Sequence, residues 1–290
     1  MDEALPAPTI FDLAAARRAL PKRALDAHKR QSEVLVIAGS REYLGAALLC
    51  ARGAYRSGAG LVRLALPEAL SQSAAMALPE AVITALPAAD ALELENLEAL
   101  LALASSAHAV VAGPGLGRRE GTLALVAGLW KRLPQPSVFD ADALFALPMT
   151  ETAGGQRVLT PHEGELKHLL GADALKPGRV AAVSALAKAA RCIALLKGPG
   201  TLVARPDGAL SQNSTGNPAL ATAGSGDVLS GAIAALMAQG AEPYAAAGLG
   251  AWAHGLAADH WVQGHGGRGL LSSELADLLP WALAQAEPVK

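Results

Sequence analysis

The chain has 290 residues, 52% of them hydrophobic and 17% charged, which excludes disorder as the overall state and leaves room for a large core. A formal net charge of −2 with only 3% aromatic residues excludes the basic surface or base-stacking platform of a nucleic-acid binder. The length fits one large α/β domain or at most two smaller ones. Cys50 and Cys192 sit far apart inside apolar runs and are expected to be buried thiols of a reducing compartment. The first thirteen residues carry acids and prolines and no basic-then-apolar leader pattern, and no apolar run approaches the roughly 18 residues that span a bilayer. A cytoplasmic protein without a membrane partner is expected.

Residues 1–32 are weakly patterned, with a short helix over 11–20 and a basic stretch from Lys22 to Arg30; they read as an extension packed on the main body. From Glu33 onward, short β-like runs alternate with long Ala/Leu-rich segments. Strands are expected at 34–38, 61–66, 109–112, 137–139, 157–160, 193–197 and 201–204. Helices are expected at 44–57, 92–105, 121–131, 163–170, 181–190, 227–239, 244–259 and 273–284. Strands separated by helix-length segments imply a mostly parallel sheet covered by helices on both faces, and residues 33–290 read as one domain of this kind. The run Val34-Leu35-Val36-Ile37 suits a strand buried on both sides. Ligands of such sheets bind beyond the carboxyl ends of the strands, so the loops there are where chemistry is expected.

The most informative stretch runs from Asn213 to Gly231. Gly224 and Gly226 flank Ser225 and open a strongly helical run, with Gly240 placed to end it. Glycines let the backbone approach a ligand closely, and the first amides of a helix have no internal partners. With the helix dipole added, this is an anion site. Asp227 falls in the first turn. It either complements the dipole, with Ser225 as a cap, or takes a proton from a hydroxyl attacking phosphorus.

The remaining loops each allow two readings. Gly113-Pro114-Gly115-Leu116-Gly117 follows a strand and is either a tight turn or a ligand-facing loop; its spacing is not the dinucleotide fingerprint, and no Walker-type phosphate loop exists in the chain. Asp140-Ala141-Asp142 would hold Mg²⁺, directly or through water, or cap a helix. In Thr160-Pro161-His162-Glu163-Gly164-Glu165 the zincin pattern is absent; His162 is a loop histidine, and Glu163 and Glu165 serve a helix start or a site. His168 and His254 read as satisfied core or surface residues. Lys197-Gly198-Pro199-Gly200-Thr201 is either a hairpin with a solvated lysine or a point charge for phosphate. Gly39-Ser40 ahead of Gly45-Ala46-Ala47 leaves room for a bulky ligand.

Taken in order, these blocks resemble the NAD(P)H-hydrate dehydratase family, from about Val34 to Leu279, most specifically at 217–231. The resemblance implies a ribokinase-like α/β fold and repair of damaged nicotinamide cofactors. The substrates would be the (6S)-hydrates of NADH and NADPH (NADHX and NADPHX), with ADP or ATP as phosphoryl donor and Mg²⁺. It implies Asp227 as the catalytic base; Ala46, Gly115, Gly117, His162 and Asp227 at the hydrate; and Lys197, Gly198, Pro199, Gly200, Thr201, Asn217, Gly224, Ser225 and Gly226 at the nucleotide. Asp140 and Glu165 would bear on the metal. Ser225 and Glu163 stand where the family more often has threonine and proline. A homotetramer and a separate hydrate epimerase as working partner are also implied, the residues ahead of the first expected strand being too few for a fused epimerase. The alternative is a vitamin-precursor or sugar kinase of the same superfamily.

Overall fold

The computed structural model describes residues 7–23, 28–149 and 151–288. Its centre is a ten-stranded sheet, in spatial order β1 (Thr9–Phe11), β10 (Leu210–Asn213), β9 (Leu202–Ala204), β8 (Ile193–Leu196), β7 (Arg157–Leu159), β6 (Ser137–Phe139), β5 (Ala109–Ala112), β2 (Glu33–Ile37), β3 (Leu61–Pro67) and β4 (Val82–Leu86). β9 runs against both its neighbours, and every other pairing is parallel. β1 makes part of the N-terminal region a strand of the sheet itself, paired Thr9 to Ser211 and Phe11 to Asn213.

Alternation along the central strands divides the core. Val34 and Val36 of β2 face a cluster built with α2 (Leu44–Arg56), α8 (Ser225–Ala238), α9 (Pro243–His265) and α10 (Ser272–Ala284). Leu35 and Ile37 face the opposite cluster, with α4 (Leu97–Ala104), α5 (Glu120–Arg132), α6 (Glu163–Leu170) and α7 (Arg179–Ala190). α1 (Leu13–Ala19) packs on α9, and α3 (Ser71–Ala77) on β4.

α8 is the helix that matters most for the site. Every residue from Val228 to Ala238 is buried, as expected of a helix apolar on all sides that is enclosed by others. Small residues let it approach α2 closely: a Cβ on Gly231 would overlap the Cys50 carbonyl oxygen. The helix ends in a Schellman turn, with Gly240 at φ +97 and the Ala241 amide donating to the Leu236 carbonyl.

Several elements differ from expectation. β1, β4, β10 and α3 were not anticipated. The helix expected at 92–105 begins at Leu97 behind a 3₁₀ turn, Leu94–Asn96. α9 continues six residues past the expected 259, to His265.

The chain runs β2, β3, β4 outward on one side of the sheet and β5, β6, β7, β8 outward on the other. The loops after β2 and β5 therefore diverge, and a crevice opens between them, where ligands of open α/β sheets bind.

Candidate active site

A chain of contacts joins the loops singled out from the sequence along one edge of the sheet. The Gly39 amide donates to the Pro114 carbonyl at 2.9 Å, tying the loop after β2 to the loop after β5. The Gly117 amide donates to Asp142 Oδ2 at 2.9 Å, tying the second loop to the one after β6. Lys197, just beyond β8, reaches back to Asp140 Oδ1 at 2.9 Å, and its amide donates to the Pro161 carbonyl at 2.9 Å. A Cβ placed on Gly226 would lie 3.2 Å from Lys197 Nζ, so the first turn of α8 closes over the lysine.

Backbone geometry explains the glycines of the crevice. Gly113 has φ +133, and a Cβ there would overlap the Asp140 carbonyl oxygen. Ala141, with φ +51, is one of the non-glycine residues in the left-handed region. This conformation costs about 1–2 kcal/mol for an ordinary residue. It reverses the chain so that Asp140 enters the protein while Asp142 returns to the Gly117 loop. Asp142 also pairs with Arg118 at 2.7 Å, whose guanidinium lies 3.4 Å from the Phe145 ring centroid.

Ala46, Gly115 and Gly117 line a cavity of about 530 Å³, together with Ser40, Tyr43 and Asp142. Ser40 is buried and its hydroxyl has no partner among the described residues. His162 and Asp227 stand outside the lining of this cavity. The His162 ring caps α6, Nδ1 accepting from the Gly164 amide at 2.9 Å and the Glu165 amide at 3.2 Å. The Glu165 carboxylate returns the contact, accepting from the His162 amide at 2.8 Å, which completes a capping box.

Beneath the first turn of α8 lies a charge cluster. Lys197 Nζ sits 2.9 Å from Asp140 and 3.6 Å from Glu165. The Ser230 hydroxyl lies against the second Asp140 oxygen and 2.7 Å from the Gly226 carbonyl, its single proton shared between the two acceptors. Burial lowers the proton affinity of Lys197, but Asp140 and Glu165 outweigh it and the ammonium is held above its ordinary range. The lysine is thus a fixed cation rather than a solvated one. Burial pushes the Glu165 carboxyl up, against the pull of Lys197.

Asp227 occupies the first turn of α8 as expected, partly buried. Its carboxyl is pushed up to about 7, by burial first and by the Asp140 charge second, with Lys197 opposing and Asp142 and Glu165 adding. The buried Cys50 thiol is pushed well up by burial and then by Asp227 and Asp140.

The expected Ser225 cap is not formed. Gly224 is the N-cap, at φ +89, and Ser225 is the first helical residue; its hydroxyl donates to the Leu220 carbonyl at 2.9 Å. The Ser225 carbonyl is held by the His254 ring at 2.9 Å. Burial lowers His254 to about 4, so the neutral ring donates through Nε2. Asn217 stiffens the preceding loop, donating to Asp259 Oδ1 at 2.8 Å and capping the 3₁₀ turn Pro218–Leu220. The Lys197–Thr201 turn carries Gly198 at φ +132 and Gly200 at φ +57, and Arg179 clasps its carbonyls.

Sequence reasoning passed over Asp142 as a loop anchor, Ser230 as the second partner of Asp140, and Asp259 and His254 as holders of the α8 entrance. Of these only Asp142 carried a signal, as the second acid of Asp140-Ala141-Asp142.

The family model described as "NAD(P)H-hydrate dehydratase" matches residues 34–281. The chain belongs to the NAD(P)H-hydrate dehydratase family. An ADP-dependent (S)-NAD(P)H-hydrate dehydratase of Xanthomonas campestris is 36% identical, over 93% of this chain and 94% of that protein. A bifunctional NAD(P)H-hydrate repair enzyme of Moorella thermoacetica is 41% identical over 93% of this chain and 53% of its own length. The chain thus spans about half the length of the bifunctional relatives it matches. The crystal structure of an ADP/ATP-dependent NAD(P)H-hydrate dehydratase of Bacillus subtilis, co-crystallised with ATP and Mg²⁺, superposes with a TM-score of 0.82 at 29% identity, covering 97% of this chain and 99% of that one. The dehydratase family's ribokinase-like fold is the fold found here. Among the described residues no helix is long and apolar enough to cross a membrane.

Proposed function

We propose that this chain dehydrates the (6S)-hydrate of NADH or NADPH, with ADP as phosphoryl donor and AMP and phosphate as products. The observation that carries the reading is Asp227. A carboxyl pushed up to about 7 stands in the first turn of α8, the turn that closes over the Lys197 ammonium at Gly226. A base is best matched to neutral chemistry when its pKa lies near the working pH. The Xanthomonas relative's ADP dependence and the Bacillus relative's use of ADP or ATP support the choice of donor.

The dihydronicotinamide hydrate carries a hydroxyl on the ring carbon beside the nitrogen, and hydroxide is a poor leaving group. Asp227 takes the hydroxyl proton as the oxygen attacks the terminal phosphorus of ADP, and AMP departs. The α8 amides and Lys197 offset charge on the transferring group. The ring nitrogen lone pair then expels phosphate, a proton leaves the neighbouring carbon, and the double bond is restored. On this reading the hydrate reaches from the cavity lined by Ala46, Gly115 and Gly117 to Asp227, which stands outside that lining, and the nucleotide lies along Lys197–Thr201 and Gly224–Gly226, with Asn217 fixing the loop that enters the second segment.

Mg²⁺ bound directly by Asp140 and Glu165 does not fit this arrangement, because the Lys197 ammonium stands between the two carboxylates. Among the described residues no group of three or more His, Cys, Asp or Glu forms a metal cage. Mg²⁺ characteristically keeps its waters and binds substrate phosphates, so the ion would arrive with the nucleotide and meet protein carboxylates through water.

The test is to incubate the protein with hydrated NADH, Mg²⁺ and either ADP or ATP, following dihydronicotinamide absorbance and released AMP. Recovery of NADH with one AMP per turnover is expected with ADP. Nucleotide-dependent formation of a stable phosphomonoester on a hydroxymethyl substrate, without NADH recovery, would replace this reading with a small-molecule kinase.

A further inference from the structure

At the opposite edge of the sheet, away from the nucleotide and hydrate loops, a second cavity of about 310 Å³ is lined by Arg157, Cys192 and Ile193 at the starts of β7 and β8, by Arg191 before β8, by Arg205 after β9, and by Glu242 at the start of α9. This volume falls at the lower end of ligand-sized clefts, about 300–1,000 Å³.

The charges around it do not balance. Arg157 is 1% exposed, and its guanidinium donates to the carbonyls of Trp130, Leu133, Gln135 and Gln156 with no carboxylate among them. Its Nε has no partner among the described residues. Burial lowers Arg157 to about 10, so it remains charged at neutral pH. Arg191 is held at φ +53, the left-handed turn between α7 and β8, and makes no ion pair among the described residues. The acids at the rim are already engaged: Asp207 pairs with Arg205 at 3.0 Å, and the Glu242 carboxylate accepts from the Tyr244 and Ala245 amides at the α9 start. Among the described residues neither the buried Arg157 nor the exposed Arg191 has an ion-pair partner, and the three arginines outnumber the two acids of the lining by one positive charge.

A buried cation without a carboxylate is costly unless an anion completes it. We propose that this cavity is a binding site for a phosphate-type oxyanion, taken either as inorganic phosphate or as the phosphate of a small organic ester. The site is independent of the proposed dehydration chemistry. Guanidinium groups hold such oxygens in a planar, paired geometry.

The experiment is a thermal-shift and calorimetric titration of the full chain with inorganic phosphate, at saturating ADP and Mg²⁺ so that the α8 amides are already occupied. Arg191→Gly removes one cation while suiting the left-handed backbone, and Arg205→Gln weakens the rim; Arg157 is left intact because its carbonyl contacts support the fold. Phosphate is expected to stabilise the wild type, and the double variant is expected to bind it at least tenfold more weakly while keeping the wild-type affinity for ADP. Glycerol 3-phosphate in parallel distinguishes the sources: equal affinity assigns the site to the free anion, and affinity tenfold higher assigns it to an ester, both supporting the site. A selenate soak should place anomalous density between Arg157 and Arg191. No phosphate binding by the wild type, or equal binding by the double variant, would overturn the proposal.

Discussion

Lys197 donates to Asp140 at 2.9 Å, and this one ion pair fastens the end of β8 to the end of β6 directly under the first turn of α8. The same ammonium, 3.6 Å from Glu165, serves a second buried carboxylate. Lys197→Met removes the cation from both. Leaving a buried charge unpaired costs about 3–5 kcal/mol, so a drop in melting temperature of several degrees is expected in differential scanning calorimetry. On the proposed reading of Lys197 as a point charge for the phosphates, affinity for ADP is expected to fall at least tenfold by isothermal titration.

The pH dependence follows from Asp227. With its carboxyl at about 7, kcat/KM for the hydrate should rise about tenfold per pH unit below that value and level off above it. Asp142 contributes to the upward push, so Asp142→Asn should move the rising limb to lower pH. Stopped-flow recovery of dihydronicotinamide between pH 5 and 9 reads both.

Stability should move in the opposite sense. The folded pKa of Asp227 lies above its unfolded value, so between about 4 and 7 the native state holds a proton that the unfolded chain has released. This contribution to stability is present below about pH 4 and is lost as pH rises through about 7. Asp227→Asn should therefore be more stable than wild type at pH 8, by about 1–4 kcal/mol at 1.4 kcal/mol per unit, and little different at pH 4. Urea unfolding at the two pH values measures the difference.

Much of this site is legible in the sequence, for physical reasons that differ by residue. Val34–Ile37 and Ala109–Ala112 are strands buried on both faces, and continuous apolar runs announce them. Gly113, Gly115, Gly117 and Gly224 sit at positive φ, so their spacing records a backbone requirement. β1 and β10 are short, and β10 carries Ser211, Gln212 and Asn213, so neither has the apolar run of a central strand; β4 is an apolar edge strand, Val82–Leu86, with Val82 exposed. The roles of Ser230, Asp259 and His254 depend on partners 90, 42 and 29 residues away, and no local pattern encodes such pairings. Ser225 looked like a cap because caps are read from residue type, but Gly224 takes the cap position through its left-handed backbone.

Asp142 should matter for the hydrate more than for the nucleotide. It holds the Gly117 amide and Arg118 at the cavity wall. Asp142→Ala releases both, and KM for the hydrate is expected to rise about tenfold while KM for ADP stays within twofold. The two KM values from initial rates decide the matter.

Gly231 sets how closely α8 approaches α2. A Cβ there would overlap the Cys50 carbonyl, so Gly231→Ala must separate the helices. Overpacking of this kind costs about 1–3 kcal/mol. Turnover is expected to fall with it, because the shift is passed along α8 to Asp227; a fall in melting temperature with unchanged turnover would show the two to be uncoupled.

The most direct measurement is the turnover of Asp227→Asn on hydrated NADH with ADP and Mg²⁺ at pH 8, paired with its dissociation constant for ADP. Loss of the base should lower turnover by about a thousandfold or more, while ADP binds within threefold of wild type. Turnover within tenfold of wild type would contradict the assignment of proton transfer to this carboxylate.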